Sequence, residues 1–61
     1  MKMIKVIDKY GVTNWIDKDK IIAVVDNPNK GEDECIVKLI GDVWVHMKGT
    51  ADHVMMFKIG T

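Results

Sequence analysis

The sequence contains no arginine, serine or glutamine, and its only cysteine is Cys35. One cysteine excludes a disulfide framework, and together with two histidines it provides too few ligands for the usual four-coordinate zinc sites. Without serine, a Ser-His-Asp catalytic arrangement is impossible. The absence of arginine removes the side chain best suited to bidentate recognition of phosphates and base edges. These absences argue against several classes of enzyme, metalloprotein and nucleic-acid-binding protein.

The chain also lacks an excess of either charge, because nine lysines oppose nine acidic residues. A non-specific nucleic-acid binder needs a basic excess, since the release of counterions supplies its affinity. The longest unbroken apolar run, residues 21–25, is much shorter than a signal-peptide core or a membrane span. One unpaired cysteine fits a reducing compartment. We therefore expect a cytoplasmic protein, in the host cytoplasm if its source is viral, with no membrane association.

The chain has 61 residues, a mass of 6.9 kDa and an apolar content of 48%. A domain of this size buries only about 60% of the surface that its unfolded chain exposes, so its core is thin. The apolar content and the balanced charge nevertheless argue against disorder. With disulfides and zinc set aside, association with other chains is the remaining way to supplement the core.

Alternation of apolar and polar residues predicts five short strands, at residues 2–8, 12–17, 21–26, 35–40 and 43–48. The stretches 8–11 and 17–20 are predicted to be turns, and residues 27–33 form the one long loop. Gly41 and Asp42 predict a two-residue hairpin connection of the type that has glycine first.

The last segment alternates like a strand, but its flanking residues are typical of a helix. Thr50 is a good N-cap, Asp52 would lie in the first turn, and Gly60 would end the helix. We predict a helix over residues 51–59, with Ala51, Val54, Met55 and Lys58 on one stripe. The predicted fold is mainly β, of the α+β class. It is a small antiparallel meander sheet or a partly open barrel of about five strands with a short C-terminal helix, in one domain over residues 1–61.

The two central strands are apolar on both faces. On the third strand the faces are Ile21/Ala23/Val25 and Ile22/Val24, and on the fourth they are Cys35/Val37/Leu39 and Ile36/Ile40. One nine-residue helix can cover only one face of such a sheet. The other face must close on itself as a barrel or meet another chain. We therefore predict a homodimer or a larger homo-oligomer.

Few residues could carry chemistry. Cys35 with His46 or His53 could form a nucleophile pair or a partial metal site, but Cys35 begins an apolar strand and is better explained as a small core residue. The acidic stretch 26–34 lacks the ligand positions of an EF-hand. We expect no enzymatic activity, no catalytic residue, no metal site and no cofactor.

Trp15 and Trp44 both lie in the middle of predicted strands, and Tyr10 lies at a turn. Both tryptophans could belong to the core, or one could lie on an exposed sheet face that contacts a partner. Trp44 is the better candidate because it alternates with polar residues. The predicted partner-binding residues are Trp44, His46, Tyr10, Trp15 and Lys48.

Short segments along most of the chain form a recognisable pattern: Met3-Ile4-Lys5-Val6, Gly11, Trp15-Ile16-Asp17, Ile21-Ile22-Ala23-Val24, Val37-Lys38-Leu39, Gly41, Val43-Trp44-Val45 and Asp52-His53-Val54. This pattern resembles the FlbD-like small proteins associated with flagellar operons, and the resemblance implies a shared architecture. A second resemblance covers residues 49–59. The run Gly49-Thr50-Ala51-Asp52-His53-Val54 is similar to the helix start of the small phage inhibitors of uracil-DNA glycosylase, which implies a sheet-plus-helix dimer.

The function predicted from the sequence is non-enzymatic binding. We expect a phage or mobile-element accessory protein that inhibits or sequesters a host factor as a homo-oligomer. One alternative is a small regulatory RNA- or DNA-binding β protein, in which Trp44, Tyr10 and several lysines form a stacking surface. Another alternative is the capture of a small ligand between subunits. The predicted partners are therefore a second copy of the chain and either a host protein or a small ligand.

Overall fold

The computed structural model describes residues 2–27 and 33–59, and most of them lie in five antiparallel strands. The strands are β1 (Met3–Ile7), β2 (Thr13–Asp17), β3 (Ile21–Asp26), β4 (Glu34–Leu39) and β5 (Val43–Lys48). A 3-10 turn, Lys18–Lys20, precedes β3. The helix α1 (Ala51–Val54) continues directly into a π-helical segment, Met55–Ile59. The predicted mainly β fold with a short C-terminal helix is confirmed. Most of the predicted long loop lies outside the described residues.

The strands form two sheets. β1 and β2 make a two-stranded hairpin, and β3, β4 and β5 make a three-stranded meander in that order. The described strands do not close into a barrel. The backbone hydrogen bonds at the ends of strands include one in which Lys9 donates to the His46 carbonyl at 2.8 Å and one in which Ile40 donates to the Lys20 carbonyl at 2.9 Å. The first of these bonds joins the hairpin turn to the free edge of β5.

The core lies between the inward faces of the two sheets and the helix. It consists of Val6, Ile16, Cys35, Val37, Leu39, Val45, Met47, Val54 and Ile59. Most of these side chains are β-branched or unbranched aliphatic groups that fit a pleated surface. Full burial of one such side chain stabilises the fold by about 1.5–3 kcal/mol. Of the two apolar faces predicted for the fourth strand, Cys35/Val37/Leu39 is the buried one.

The predicted faces of the third strand are wrong. A bulge between Ile21 and Ala23 makes Ile22 an extra residue, 65% exposed, and shifts the alternation by one position. Ile21 and Val24 therefore pack on the core, whereas Ala23 and Val25 share the outer face with Lys38 and Ile36. The strand remains apolar on both sides, so the need to cover its outer face is unchanged.

The predicted helix is present, but its second half has π geometry. Thr50 caps the helix as expected, since its hydroxyl oxygen accepts from the His53 amide at 3.2 Å. The Asp26 carboxylate accepts from the Ala51 amide at 2.7 Å and ties the helix start to β3. The hydrogen bonds of a π-helix span five residues, and Val54 and Ile59, which are five residues apart, are both buried. The buried stripe is therefore narrower than predicted, with Met55 and Lys58 exposed.

The connection between β4 and β5 has three residues instead of the predicted two. Leu39 pairs with Val43, so Ile40, Gly41 and Asp42 lie outside the ladder. The amide of Ile40 donates to Lys20, which takes this residue away from the hairpin. Gly41 has the expected positive φ, +88°, and Asp42 also has a positive φ, 60°.

We predict that Gly41→Val lowers the free energy of unfolding by more than about 1 kcal/mol, because a β-branched residue is strained at positive φ. A Cβ atom at Gly41 would meet no atom within 4 Å, so the loss comes from the backbone alone. Gly41→Asn is the control, since asparagine tolerates this conformation and should cost clearly less. Urea denaturation measures both variants. Equal midpoints for Gly41→Val and the parent protein would show that the turn does not depend on positive φ.

Candidate interaction surface

The outer side of the three-stranded sheet combines apolar, aromatic and cationic side chains. Residues directly opposite one another in a ladder share a face. The pairs Lys38–Trp44, Ile36–His46 and Val25–Ile36 therefore lie on the same side of the sheet, which turns away from the core. We call this surface the Trp44 face. It consists of Ala23, Val25, Ile36, Lys38, Trp44, His46 and Lys48.

Trp44 is the largest side chain of this face and is 54% exposed. The Lys38 ammonium lies 4.7 Å from the centre of a Trp44 ring, which is within the range of a cation–π contact. Val25, also exposed, and the half-buried Ile36 extend the apolar area towards His46. Trp44 is therefore a surface residue, held by a lysine on the neighbouring strand.

The hairpin turn docks against one end of the Trp44 face through a partly buried ion pair. The Lys9 ammonium donates to both carboxylate oxygens of Glu34, at 3.1 and 2.9 Å. Glu34 is only 4% exposed, and a buried carboxylate is stable only when it is paired and hydrogen-bonded. The hydrogen bonds to Glu34 raise the pKa of Lys9 above its usual value. Sequence reasoning began the fourth strand at Cys35, one residue after Glu34, and missed this pair because its partner is 25 residues away.

The turn itself is organised by the Asp8 carboxylate. Its oxygens accept from the amides of Tyr10 and Val12, each at 2.9 Å, and from the Asn14 side-chain amide at 3.2 Å. The hydrogen bond from Val12, followed by those from Asn14 and Tyr10, lowers the pKa of Asp8. Tyr10 is 72% exposed, and the Lys9 ammonium lies 5.2 Å from the centre of its ring. Lys9 thus places Tyr10 beside the Trp44 face.

Trp15 belongs to a different surface. It lies opposite Lys5 on the outer side of the β1–β2 hairpin, with Met3 and Ile7 at the diagonal positions, and it is 62% exposed. We call this second surface the Trp15 face; it consists of Met3, Lys5, Ile7, Thr13, Trp15 and Asp17. The structure therefore brings together four of the five predicted partner-binding residues, Trp44, His46, Lys48 and Tyr10. It places Trp15 on the other sheet.

Of the residues considered for chemistry, His46 lies on the Trp44 face, whereas Cys35 and His53 lie elsewhere. Cys35 is fully buried, and this burial, with a smaller effect of Asp26, raises the pKa of its thiol. A raised pKa disfavours the thiolate that a nucleophile or a metal ligand requires. His53 is exposed on α1, with its ring centre 5.0 Å from that of Phe57. Over residues 2–27 and 33–59, no group of three His, Cys, Asp or Glu side chains could hold a metal ion.

The helical segment adds another exposed apolar region, formed by Met55, Met56 and Phe57. In the described part of the chain, neither helical segment has the length and apolarity needed to cross a membrane.

Comparison with protein-family models, with curated proteins and with solved structures finds no match to this chain. The resemblances to FlbD-like proteins and to the phage inhibitors of uracil-DNA glycosylase therefore stay predictions. The two faces are accordingly interpreted from their own geometry and charge.

We predict that Asp8→Asn destabilises the protein at neutral pH but has less effect in acid. The lowered pKa of Asp8 means that its ionised form stabilises the fold above the pKa of the unfolded chain, about pH 4. This contribution is lost as the pH falls through the lower pKa of the folded state. The difference in denaturation midpoint between the parent and the variant should therefore shrink from about pH 7 to about pH 3.

Asp42→Asn is the matched control for this experiment, because it removes an exposed turn carboxylate for which no hydrogen bond from a described residue is seen. It should leave the midpoint at neutral pH nearly unchanged. If the midpoint of Asp8→Asn stays equally far below that of the parent at both pH values, the ionised Asp8 carboxylate does not stabilise the turn.

Proposed function

We propose that this protein is a non-enzymatic binding protein that acts by occupying a partner protein with its Trp44 face. The observation that carries the proposal is the half-exposed Trp44, set between a lysine and an apolar strip on a rigid sheet. Tryptophan is enriched among the residues that dominate binding energy, and such residues lie inside a polar rim. The exposed Tyr10 and the charged Lys48 provide part of such a rim here.

The charge of the Trp44 face indicates the chemistry of the partner. Lys38 and Lys48 are cationic, and the carboxylate that lies opposite Lys48 in the ladder, Glu34, is paired with Lys9. A surface of one sign selects a complementary surface and repels a like one. The proposed partner is therefore a protein with an apolar patch bordered by aspartate or glutamate.

Within this proposal, occupation of the partner is the mechanism of action, as expected for an accessory protein of a phage or mobile element that inhibits or sequesters a host factor. The buried thiol of Cys35 supports binding over catalysis. An inhibitor that works by occupation needs only a well-ordered contact surface, and the Asp8 turn and the Lys9–Glu34 pair provide that order at one end of the Trp44 face.

The second surface, the Trp15 face, is suited to a second copy of the chain. It carries both a cation, Lys5, and an anion, Asp17, around its apolar residues. In a twofold dimer each surface meets itself, so a face with both signs can pair Lys5 of one copy with Asp17 of the other. The Trp44 face has an excess of positive charge and would repel its own copy. Self-association is therefore assigned to the Trp15 face and partner binding to the Trp44 face.

We predict that light scattering at micromolar concentration returns a mass of at least twice 6.9 kDa. Trp15→Ala should shift the mass towards that of the monomer, because it removes the central apolar contact of the Trp15 face. A monomeric parent protein would contradict the proposed oligomer. An oligomer that is unaffected by Trp15→Ala would show that another face mediates it.

We predict that Trp44→Ala stays folded and oligomeric but binds its partner more weakly, by about 2 kcal/mol or more. A core tryptophan would behave differently, since its truncation costs about 3–5 kcal/mol and would unfold so small a domain. The experiment combines circular dichroism, light scattering and co-purification of tagged protein from its native cell. The control is Trp15→Ala, which should retain the partner.

Loss of the folded spectrum in Trp44→Ala would show that this residue supports the fold and would remove the reason for assigning it to binding. A folded variant that retains its partner would also contradict the proposal.

The alternative of nucleic-acid binding is favoured by one observation, the combination of exposed Trp44 and Tyr10 with Lys38 and Lys48. Bases of single-stranded RNA or DNA stack on exposed aromatic rings beside cationic side chains. A salt-dependent mobility shift with labelled oligonucleotides, lost in Trp44→Ala, would support this alternative over a protein partner.

A further inference from the structure

A cleft of about 300 Å³ lies between the hairpin turn, the end of β5 and the π-helical segment. Its lining includes Ile7 and Lys9 from the end of β1 and the turn, Met47 and Lys48 from β5, and Lys58 from the helix. The hydrogen bond from Lys9 to the His46 carbonyl joins the turn to β5 beside this cleft, while β1 and β5 belong to separate sheets. The cleft is thus built into the junction of the two sheets. Its volume is at the lower end of the range for small-molecule sites.

The charges around the cleft are unbalanced. Three lysines, each from a different element, face one carboxylate, Asp8. Lys9 is already paired with Glu34, and Asp8 accepts three hydrogen bonds within its own turn. Lys48 and Lys58 have no ion-pair partner among the described residues. Two cationic groups without a partner therefore remain available to a ligand.

We propose that this cleft binds a small organic anion, a phosphate or carboxylate carried on a short apolar group. Lys48 and Lys58 would contact the anionic oxygens, since neither has an ion-pair partner in residues 2–27 and 33–59 and a lysine stem is flexible. The exposed side chain of Ile7 would contact the apolar part, with Met47 beneath it. This inference requires no partner protein, although Lys48 also belongs to the Trp44 face.

The test is a titration followed by amide chemical shifts in solution at low salt, where the attraction between exposed charges is least screened. The probes are inorganic phosphate, n-butyl phosphate, butyrate and 1-butanol. We expect both butyl anions to shift the amides of residues 7–11, 47, 48 and 58 with dissociation constants in the millimolar range. n-Butyl phosphate should bind several-fold more tightly than inorganic phosphate, and 1-butanol should not bind. Whichever of n-butyl phosphate and butyrate binds more tightly identifies the anionic group.

Two matched pairs of substitutions assign the contacts. Lys48→Gln with Lys58→Gln should weaken binding of n-butyl phosphate at least tenfold. The control, Lys2→Gln with Lys20→Gln, removes the same charge from two exposed lysines outside the cleft and should weaken binding of n-butyl phosphate less than twofold. Ile7→Thr keeps a β-branched residue in the strand and should reduce the advantage of n-butyl phosphate over inorganic phosphate.

Equal weakening by the two lysine pairs would mean that the anions respond only to overall charge and would overturn the proposal. Binding of 1-butanol as tight as that of n-butyl phosphate would also overturn it, because the cleft would then recognise only the apolar group. An unchanged dispersion of amide signals shows that the Lys48→Gln/Lys58→Gln protein is folded. A loss of binding in this variant then reports on the cleft.

Discussion

The ion pair between Lys9 and Glu34 is the interaction on which the organisation of the surface depends. The two sheets are separate ladders, and this pair joins the hairpin turn to the beginning of β4, while the neighbouring backbone bond joins the same turn to β5. A buried carboxylate that loses its partner is strongly destabilising. The hairpin cannot leave the sheet without exposing Glu34 and breaking its ion pair with Lys9, so the turn is held in place. That constraint places Tyr10 beside the Trp44 face and forms one wall of the lysine-lined cleft.

Local features of the sequence were sufficient to predict the strands, the helix cap and the positive φ at Gly41, because each depends on neighbours in the chain. The features that were missed depend on distant contacts or on a local irregularity that leaves no residue signature. The Lys9–Glu34 pair, the hydrogen bond from Ile40 to Lys20 and the capping of Ala51 by Asp26 each join residues that are far apart in sequence. The bulge at Ile22 shifts the alternation of β3 by one residue, and the helical segments bury Val54 and Ile59 at a spacing of five. Simple alternation or α-helical spacing does not reveal such irregularities.

For the candidate site, alternation with polar neighbours correctly placed Trp44 on the outer side of β5. The same pattern could not show that Trp15 lies on a different sheet, because strand pairing decides which faces adjoin. The strand pairing shows that the two tryptophan faces differ in charge, which the composition of the chain does not reveal. The chain is neutral overall, but its charges are segregated, with both signs on the Trp15 face and an excess of lysine on the Trp44 face. A neutral composition is therefore compatible with one face that pairs with itself and another that selects an acidic partner.

Lys48 belongs to both the Trp44 face and the cleft, which connects the two proposed sites physically. Its ammonium can balance a carboxylate at the rim of a bound protein or the oxygens of an anion in the cleft, but one charge cannot satisfy both fully. An anion in the cleft lowers the positive potential of the neighbouring face and so weakens the binding of an acidic partner. By linkage, the bound partner must weaken the binding of the anion by the same factor. In so small a domain, where a single lysine lies on two adjoining surfaces, such competition requires no conformational change.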